Sequence, residues 1–289
     1  LVLPDPRDPG VQEAYGRKAC PAFHVYGRLP IWSDDYLIGR IAQLRDMGMT
    51  NVYFKMAGFD PEDLEHVLRL ASKAQVDMVT FDGAGGGSGY SPCKMMNEWC
   101  LPTVVMESIL YGILDKLAAE GMELPDVAIT GGFATEDQVY KALALGAPYV
   151  KAVCMSRSFM IPAFLGCNIE GALHPERRER VHGAWSALPK TVLDIGDTPE
   201  TIFAGYHALK ERLGADEMAH IPYGAIAMWT MCDRLGAGLQ HHMAGARKFG
   251  IGHIDRTDIC APNRETAQET GIPFITEQDD ELARRIVLG

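Results

Sequence analysis

A repeated cycle of apolar segment, glycine-containing turn and helix-type segment is the feature that most constrains how this chain folds. Between residues 51 and 154, short apolar runs alternate with stretches in which apolar residues recur every three or four positions. The apolar runs, predicted as strands, cover residues 51–56, 78–81, 127–130 and 149–154. Strands that are apolar almost throughout and are connected by helices are typical of a parallel sheet buried on both faces, so the sequence predicts an α/β fold.

Outside this region the pattern changes. Residues 1–30 are rich in proline and glycine and are predicted to form an extended lead-in. Residues 174–182 carry a dense run of arginine, glutamate and histidine, which we interpret as a solvated helix face. A long helix is predicted over residues 225–248, and residues 257–289 are predicted to form a polar helical tail that docks on the body of the protein or on a neighbouring chain.

Composition excludes several classes of function. The 289 residues include 27 Lys and Arg against 38 Asp and Glu, a formal net charge of −11, which disfavours binding to nucleic-acid phosphates. No apolar run reaches the roughly 20 residues that span a bilayer, and no basic-then-apolar leader opens the chain, so we expect a cytoplasmic enzyme with no membrane partner. The 7 cysteines lack zinc-type spacing and are predicted to be reduced thiols that hold no metal.

The loop after the second predicted strand carries the strongest signal for a ligand. Asp82 and Gly83 open this loop, and the glycines that follow include Gly86 and Gly87. Glycine costs backbone entropy, but it permits positive φ angles and lets main-chain amides approach a flat or anionic ligand closely. The alternative is a flexible surface loop. The position at the carboxyl end of a strand, where barrels and open sheets bind ligands, favours a binding site.

Two further loops are predicted to hold a phosphate. Gly131 and Gly132 end the third strand and precede a helix, and Ser156 and Arg157 follow the fourth strand. Main-chain N–H groups of such turns bind phosphate, and barrels commonly build phosphate sites from their last two strand-to-helix loops. The alternative for Arg157 is a surface salt bridge.

Lys55 is a charged residue within an otherwise apolar strand. Burial of a charge without a partner costs several kcal/mol, so this side chain has to leave the strand's end or be paired. Three roles stay open from the residues alone. Lys55 stabilises negative charge on a reduced flavin or binds an acidic substrate, it forms a Schiff base, or it lies at the rim as a snorkelling lysine without a chemical role.

Taken together, these motifs resemble the FMN-binding synthase domain of glutamate synthases. Residues 86–92 (Gly-Gly-Ser-Gly-Tyr-Ser-Pro) resemble the family's Gly-Gly-Thr-Gly-Ala-Ser-Pro run, and residues 165–167 match its Leu-Gly-Cys. Gly131 and Gly132 match the phosphate-holding Gly-Gly. Lys55 matches the strand lysine that lies beside the flavin and the substrate derived from 2-oxoglutarate. The likeness covers residues 30–168, and more loosely residues 220–275.

The resemblance implies a (β/α)8 TIM-type barrel, of which residues 31–172 supply mainly the C-terminal half, and a mostly helical extension over residues 173–289 that packs on it. The implied cofactor is FMN, and the implied reaction transfers a hydride from reduced FMN to a 2-imino acid formed from 2-oxoglutarate and ammonia. Lys55 is then the catalytic residue. The implied cofactor-binding residues are Lys55, Asp82, Gly83, Gly86, Gly87, Gly131, Gly132, Ser156 and Arg157.

The sequence departs from the family's pattern at two points. Cys167 is not followed by the two closely spaced cysteines that complete a 3Fe–4S cluster in the larger members, since the next cysteine is Cys232. The family's barrel has about four strands before the one that bears Lys55, and this sequence has room for at most one. We expect either that the chain is the C-terminal half of a longer protein or that a partner supplies the rest. The family's amidotransferase domain is absent from this sequence too. The expected partners therefore include an electron-donor or amidotransferase subunit and further copies of the chain.

Three alternative functions stay open. The first is a flavin subunit that transfers methylamine onto glutamate, which needs the same flavin pocket. The second is a lyase that forms a Schiff base on Lys55. The third is a non-catalytic subunit that only completes the barrel of a partner.

Overall fold

The computed structural model describes residues 2–3, 5, 7–17, 24–25, 33–58, 60–84, 100–277 and 280–288. The strands are β1 (Val2–Leu3), β2 (His24–Val25), β3 (Tyr53–Ala57), β4 (Met78–Asp82), β5 (Asp126–Thr130) and β6 (Val150–Cys154). The helices are α1 (Pro9–Gly16), α2 (Asp34–Asp46), α3 (Pro61–Lys73), α4 (Thr103–Ala119), α5 (Glu136–Leu145), α6 (Arg157–Leu173), α7 (Lys190–Leu193), α8 (Pro199–Ile202), α9 (Tyr206–Leu213), α10 (Ala215–Met218), α11 (Tyr223–Gly245), α12 (Arg264–Thr270) and α13 (Asp280–Leu288).

The described chain divides into two compact units. The first comprises residues 1–132, 142–153 and 255–289, and the second comprises residues 133–141 and 154–254. No helix within the described ranges is both long and apolar enough to cross a membrane.

The first unit is built on a four-stranded sheet in the order β3-β4-β5-β6. Strand β4 pairs in parallel with both of its neighbours, β3 and β5. The structure thus confirms the α/β fold. The observed ends of the four strands lie within two residues of the predicted ends. The barrel and the predicted domain boundaries stay predictions.

Local sequence explains why helices follow the strands. At the start of α3, the side chain of Asp60 accepts a hydrogen bond from the Asp63 N–H at 3.0 Å, and Pro61 occupies the first turn. Both features favour a helix start, because an N-cap acceptor satisfies an otherwise unpaired N–H and proline has no N–H to lose. Leu64 and Leu68, one turn apart, are completely buried and attach the helix to the core.

The two faces of the sheet differ in how well they are covered. Side chains alternate between the faces of a strand, and Val79, Phe81 and Ile129, which share one face, are completely buried. On the opposite face, Tyr53 is 59% exposed, and the side chain of Lys55 is 52% exposed. Solvent therefore reaches the first strand of the sheet on the face that carries Lys55.

The proline- and glycine-rich lead-in is not entirely extended, as the sequence had suggested. Residues Pro9–Gly16 form α1. The Asp8 carboxylate accepts hydrogen bonds from the Gly10 and Val11 N–H groups at 2.7 and 3.2 Å, and Pro9 begins the helix. Proline is compatible with the first helical position and is disruptive only farther along, so its abundance is a poor guide to extended structure here.

The C-terminal segment of the first unit packs on its helices. The guanidinium of Arg256 donates to the carbonyl oxygens of Leu145 and Thr270, the latter at 2.7 Å. Its central carbon lies 3.9 Å from the ring centroid of Tyr111 in α4. Helix α12 also contacts α4. The tail beyond residue 255 consists of separate short helices and docks on the body, one of the two arrangements expected from the sequence.

A buried acid in α4 gives this unit a measurable pH dependence. Glu107 is 2% exposed, and its Oε1 has no hydrogen-bond partner in the described structure. Burial raises the pKa of Glu107 well above its ordinary value of 4.5, an effect that Arg256 opposes only in part. The folded protein therefore keeps a proton on this group after the unfolded chain has released it.

Because the folded-state pKa of Glu107 is raised, its contribution to stability is complete below pH 4.5 and is lost as the pH rises toward the folded-state value. We expect the free energy of unfolding to fall with pH through this window, by up to about 1.4 kcal/mol per pH unit from this group. Glu107→Gln should remove that contribution, and the exposed Glu123→Gln should not. Urea unfolding at several pH values measures the free energy of unfolding. If this free energy depended on pH in the same way in wild type and in Glu107→Gln, the assignment to Glu107 would be wrong.

The second unit is organised by the crossing of α6 and α11. At Gly166, an added Cβ would lie 2.6 Å from the carbonyl carbon of Tyr223 and 2.7 Å from the Cα of Gly224. Glycine is therefore required for the two backbones to come this close. Around the crossing lies a hydrophobic cluster made of Ile169, Phe203, Tyr206, Leu209, Met218, Tyr223, Ile226 and Ala227.

Candidate functional site

The carboxyl ends of β3, β4 and β5 lie side by side and form a common rim in the first unit. The register pairs Ala57 with Asp82 and Asp82 with Thr130. Beyond these residues, the Gly58 N–H donates to the Asp82 carbonyl and the Gly83 N–H donates to the Thr130 carbonyl, both at 2.9 Å. The three strands therefore pass into their loops at the same level, which brings sequence-distant loop residues together.

An ion pair joins the two charged residues of this rim. The Nζ of Lys55 lies 2.5 Å from Oδ2 of Asp82, and the Asp82 side chain is only 5% exposed. Lys55 and Thr80 are paired in register, two positions before the Ala57–Asp82 pair, so the lysine and the carboxylate lie on the same face of the sheet. The lysine's charge is thus both paired and partly solvated, which resolves the cost of placing it in an apolar strand.

This ion pair bears on the Schiff-base alternative. To attack a carbonyl, the Lys55 nitrogen has to be uncharged, so a Schiff base would require the ion pair with Asp82 to break first. The same pair suits a lysine that acts as a fixed positive charge, because the buried carboxylate holds the ammonium group in one place.

Close packing at the rim explains two of the predicted glycines. An added Cβ at Gly83 would lie 2.8 Å from the Cα of Thr103, and one at Gly131 would lie 2.6 Å from its Oγ1. The Thr103 hydroxyl donates a hydrogen bond to the Gly131 carbonyl oxygen at 2.9 Å. Gly131 also has a φ of +122°, which a side chain would strain. Both glycines let the loops pack against the start of α4.

Thr103 was not identified from the sequence. Its contacts with Gly83 and Gly131 join loops that are distant in the chain, and no local pattern reports them. The available signal was weak: Pro102 and Thr103 open α4, and the threonine hydroxyl is directed to a neighbouring loop rather than to its own helix.

Gly132 differs from its neighbour because its surroundings are open. Its φ is +82°, and an added Cβ would meet nothing within 4 Å. The positive φ is a conformation that glycine adopts without strain. Gly131 thus supports the packing of the rim, and Gly132 leaves accessible space beside it.

The glycine-rich loop itself lies outside the described residues, including Gly86 and Gly87. Its two ends are described. The Ala84 N–H donates to the Leu101 carbonyl at 2.7 Å, and the Leu101 N–H donates to the Gly58 carbonyl at 2.9 Å. The chain therefore leaves the rim at Ala84 and returns to it at Leu101, so the loop is anchored at the rim at both ends.

A thiol lies close to the ion pair. Burial raises the pKa of the Cys100 thiol, and the nearby carboxylate of Asp82 adds to the effect. The thiol is therefore kept protonated. Because the thiolate is the reactive form of cysteine, Cys100 is poorly suited to act as a nucleophile.

The remaining predicted residues, Ser156 and Arg157, are in the second unit, where they begin α6. The first turn of this helix has no acidic side chain and no side-chain cap, and the Ser158 hydroxyl is buried without a hydrogen-bond partner in the described structure. A helix start with these properties favours an anion. The phosphate site that these residues were predicted to share with Gly131 and Gly132 stays a prediction.

Comparison with known proteins assigns the family. Residues 22–176 match the model of the conserved region in glutamate synthase. This match covers more than half of the 289 residues, and the chain belongs to the glutamate synthase family. It includes β3 to β6 and hence the whole rim with Lys55 and Asp82. No curated protein matches the sequence.

Proposed function

We propose that the chain is an FMN-dependent oxidoreductase of the glutamate synthase type. The observation that carries the proposal is the Lys55–Asp82 ion pair, 2.5 Å long, at the carboxyl end of a parallel sheet. Ligands of open and closed α/β sheets bind at this end of the strands. A fixed cation at that edge suits an anionic substrate or the negative charge that develops on a reduced flavin.

The residues of the rim fit FMN. The bare turn at Gly132 has open space for a phosphate oxygen, and a Cβ at this position would occupy it. We assign Gly131 and Gly132 to the phosphate, and Lys55, Asp82 and Gly83 to the side of the ring; Gly86 and Gly87 complete the proposed set. Ser156 and Arg157 stay in this set on the strength of the sequence and of the anion-favouring start of α6.

Bound reduced FMN would supply a hydride to a 2-imino acid formed from 2-oxoglutarate and ammonia. In this reaction the positive charge of Lys55 stabilises negative charge, either on a substrate carboxylate or at the edge of the flavin ring. Asp82 positions the lysine through the ion pair. The protonated Cys100 thiol leaves Lys55 as the charged group that meets the substrate. An electron-donor or amidotransferase subunit is the partner that such a reaction calls for.

We further propose that the four-stranded sheet is the C-terminal half of a (β/α)8 barrel. The barrel half spans residues 31–172, and residues 173–289 form the extension. The exposure of Tyr53 and Lys55 supports this proposal, because inward-facing side chains of a closed barrel pack in layers against the opposite strands.

Turnover under anaerobic conditions tests the proposed reaction. The full chain is loaded with FMN and reduced chemically, and 2-oxoglutarate is added with either ammonia or methylamine. We expect the visible absorption of oxidised flavin to return with ammonia, together with an equal amount of glutamate. A parallel assay supplies glutamate and methylamine, and the formation of N-methylglutamate with release of ammonia would favour the methylamine-type relative. Bound flavin that neither amine reoxidises would refute the reaction.

A further inference from the structure

The charged segment 174–182 is largely accessible to solvent, as its sequence suggested, but it does not form the predicted helix face. Only Pro175–Arg177 form a short 3-10 helix. The Arg178 guanidinium donates to the Gly171 carbonyl at 3.1 Å and so holds the segment against α6. The other cationic residues, Arg177, Arg180 and His182, line a cavity of about 370 Å³ within the second unit.

Helix α6 and the segment that precedes α11 form one side of this cavity. One turn beyond Gly166, Glu170 is 4% exposed and lines the cavity together with Cys167. Its Oε2 accepts a hydrogen bond from the Tyr223 N–H at 2.9 Å, at the first turn of α11. A carboxylate is favoured at a helix N-terminus, so Glu170 is an anion held in place by the fold. Burial raises the pKa of the Cys167 thiol, which is an uncharged part of the wall.

The two arginines of the cavity have N–H donors that no strong hydrogen bond with a described residue occupies. Arg177 forms ion pairs with Glu170 at 3.6 Å and with Glu176 at 3.9 Å, and both distances are too long for a hydrogen bond. The side chain of Arg180 makes no ion pair or hydrogen bond with any described residue. Guanidinium groups bind carboxylates through two parallel N–H donors, and both arginines have donors available for a ligand.

The charge pattern indicates the class of ligand. The cavity offers two guanidinium groups and one carboxylate, and the imidazoles of His182 and His220 add hydrogen-bonding capacity. A simple inorganic anion would leave Glu170 facing another negative charge. A dicarboxylic amino acid carries two carboxylates and one ammonium group, which is the inverse of the cavity's charges. The volume lies within the range of about 300–1,000 Å³ found for small-molecule sites.

We propose that this cavity binds a dicarboxylic α-amino acid, with its carboxylates on Arg177 and Arg180 and its ammonium group on Glu170. The site is separate from the rim that carries Lys55, and the proposal does not depend on flavin binding. The charged stretch 174–182 thereby gains a role in ligand binding.

Calorimetric titration of the full chain, without flavin and at constant ionic strength, tests the proposal with three probes. These are L-glutamate, glutarate, which lacks the ammonium group, and inorganic phosphate. We expect one glutamate per chain and weaker binding of the other two. Glutarate or phosphate binding as tightly as glutamate would overturn the assignment of Glu170, and the absence of glutamate binding would overturn the site.

Variants locate the binding. Arg180→Gln removes an exposed side chain without contacts and should weaken glutamate binding about tenfold or more. Arg212→Gln, an exposed arginine of α9 away from the cavity, should leave binding unchanged. Loss of binding in Lys55→Met with full binding in Arg180→Gln would move the ligand to the rim and refute the proposal, whatever the fate of the proposed flavin reaction.

A second variant tests the role of Glu170. Glu170→Gln removes the charge and keeps an oxygen that accepts the Tyr223 N–H, so α11 retains its N-terminal hydrogen bond. We expect this variant to bind glutamate and glutarate with equal affinity. A preference for glutamate that persists in Glu170→Gln would show that the ammonium group binds elsewhere and would contradict the proposed arrangement.

Discussion

Replacement of Lys55 by methionine is expected to lower kcat about a hundredfold, the typical loss when one group that stabilises developing charge is removed. The physical reason is that methionine fills similar space but provides no positive charge at the strand end. Lys55→Arg should recover part of the rate, because it restores the charge with a different geometry. Anaerobic turnover with 2-oxoglutarate and ammonia measures the effect.

Stability has to be measured in the same variants, because Lys55→Met also leaves the buried Asp82 carboxylate without this ion-pair partner. Since half of the Lys55 side chain is exposed, we expect a loss of about 1–3 kcal/mol in the free energy of unfolding. The double variant Lys55→Met/Asp82→Asn should regain part of it. Lys151→Met, an exposed lysine on β6, is the control and should change neither quantity. Full turnover in Lys55→Met would remove the lysine from the mechanism.

Substitution of the two adjacent glycines is expected to separate packing from ligand binding. Gly131→Ala combines a φ of +122° with a contact of 2.6 Å to the Thr103 hydroxyl, so we expect it to cost more than the roughly 1–3 kcal/mol of backbone strain alone. Gly132→Ala has a φ of +82° and open surroundings, so its loss should be the strain alone. Its methyl group enters the space proposed for the phosphate and should weaken FMN binding strongly.

A double variant shows whether Thr103 is the cause. Thr103→Ala removes the hydroxyl that an alanine at position 131 would meet, so Gly131→Ala/Thr103→Ala should lose less stability than the sum of its single variants. Urea unfolding gives the free energies. Equal losses for Gly131→Ala and Gly132→Ala, or strict additivity with Thr103→Ala, would contradict the packing described for the rim.

The sheet could be predicted because its signals are local. Each strand is a short apolar run, and the helix after β3 begins with a recognisable cap at Asp60 and Pro61. The lead-in was interpreted too simply, because counting prolines ignores that Pro9 stands at the first helical position, where proline is favoured.

The contacts within the rim could not be predicted, because they depend on register and on crossing helices. Lys55 and Asp82 were both identified from the sequence, but their pairing follows from a parallel register that no local pattern encodes. Thr103 joins two loops distant in sequence. Likewise, Arg177 and Arg180 line a cavity with Glu170 of α6 and with residues 219–222, and their own segment does not reveal these neighbours.

A titration of the full chain with FMN, followed by visible absorption and flavin fluorescence, tests most directly whether the strand-end rim is a flavin site. The account predicts saturable binding of one FMN per chain, which Gly132→Ala weakens and Arg180→Gln leaves unchanged. A flavin spectrum that stays that of free FMN throughout, or undiminished binding by Gly132→Ala, would contradict it.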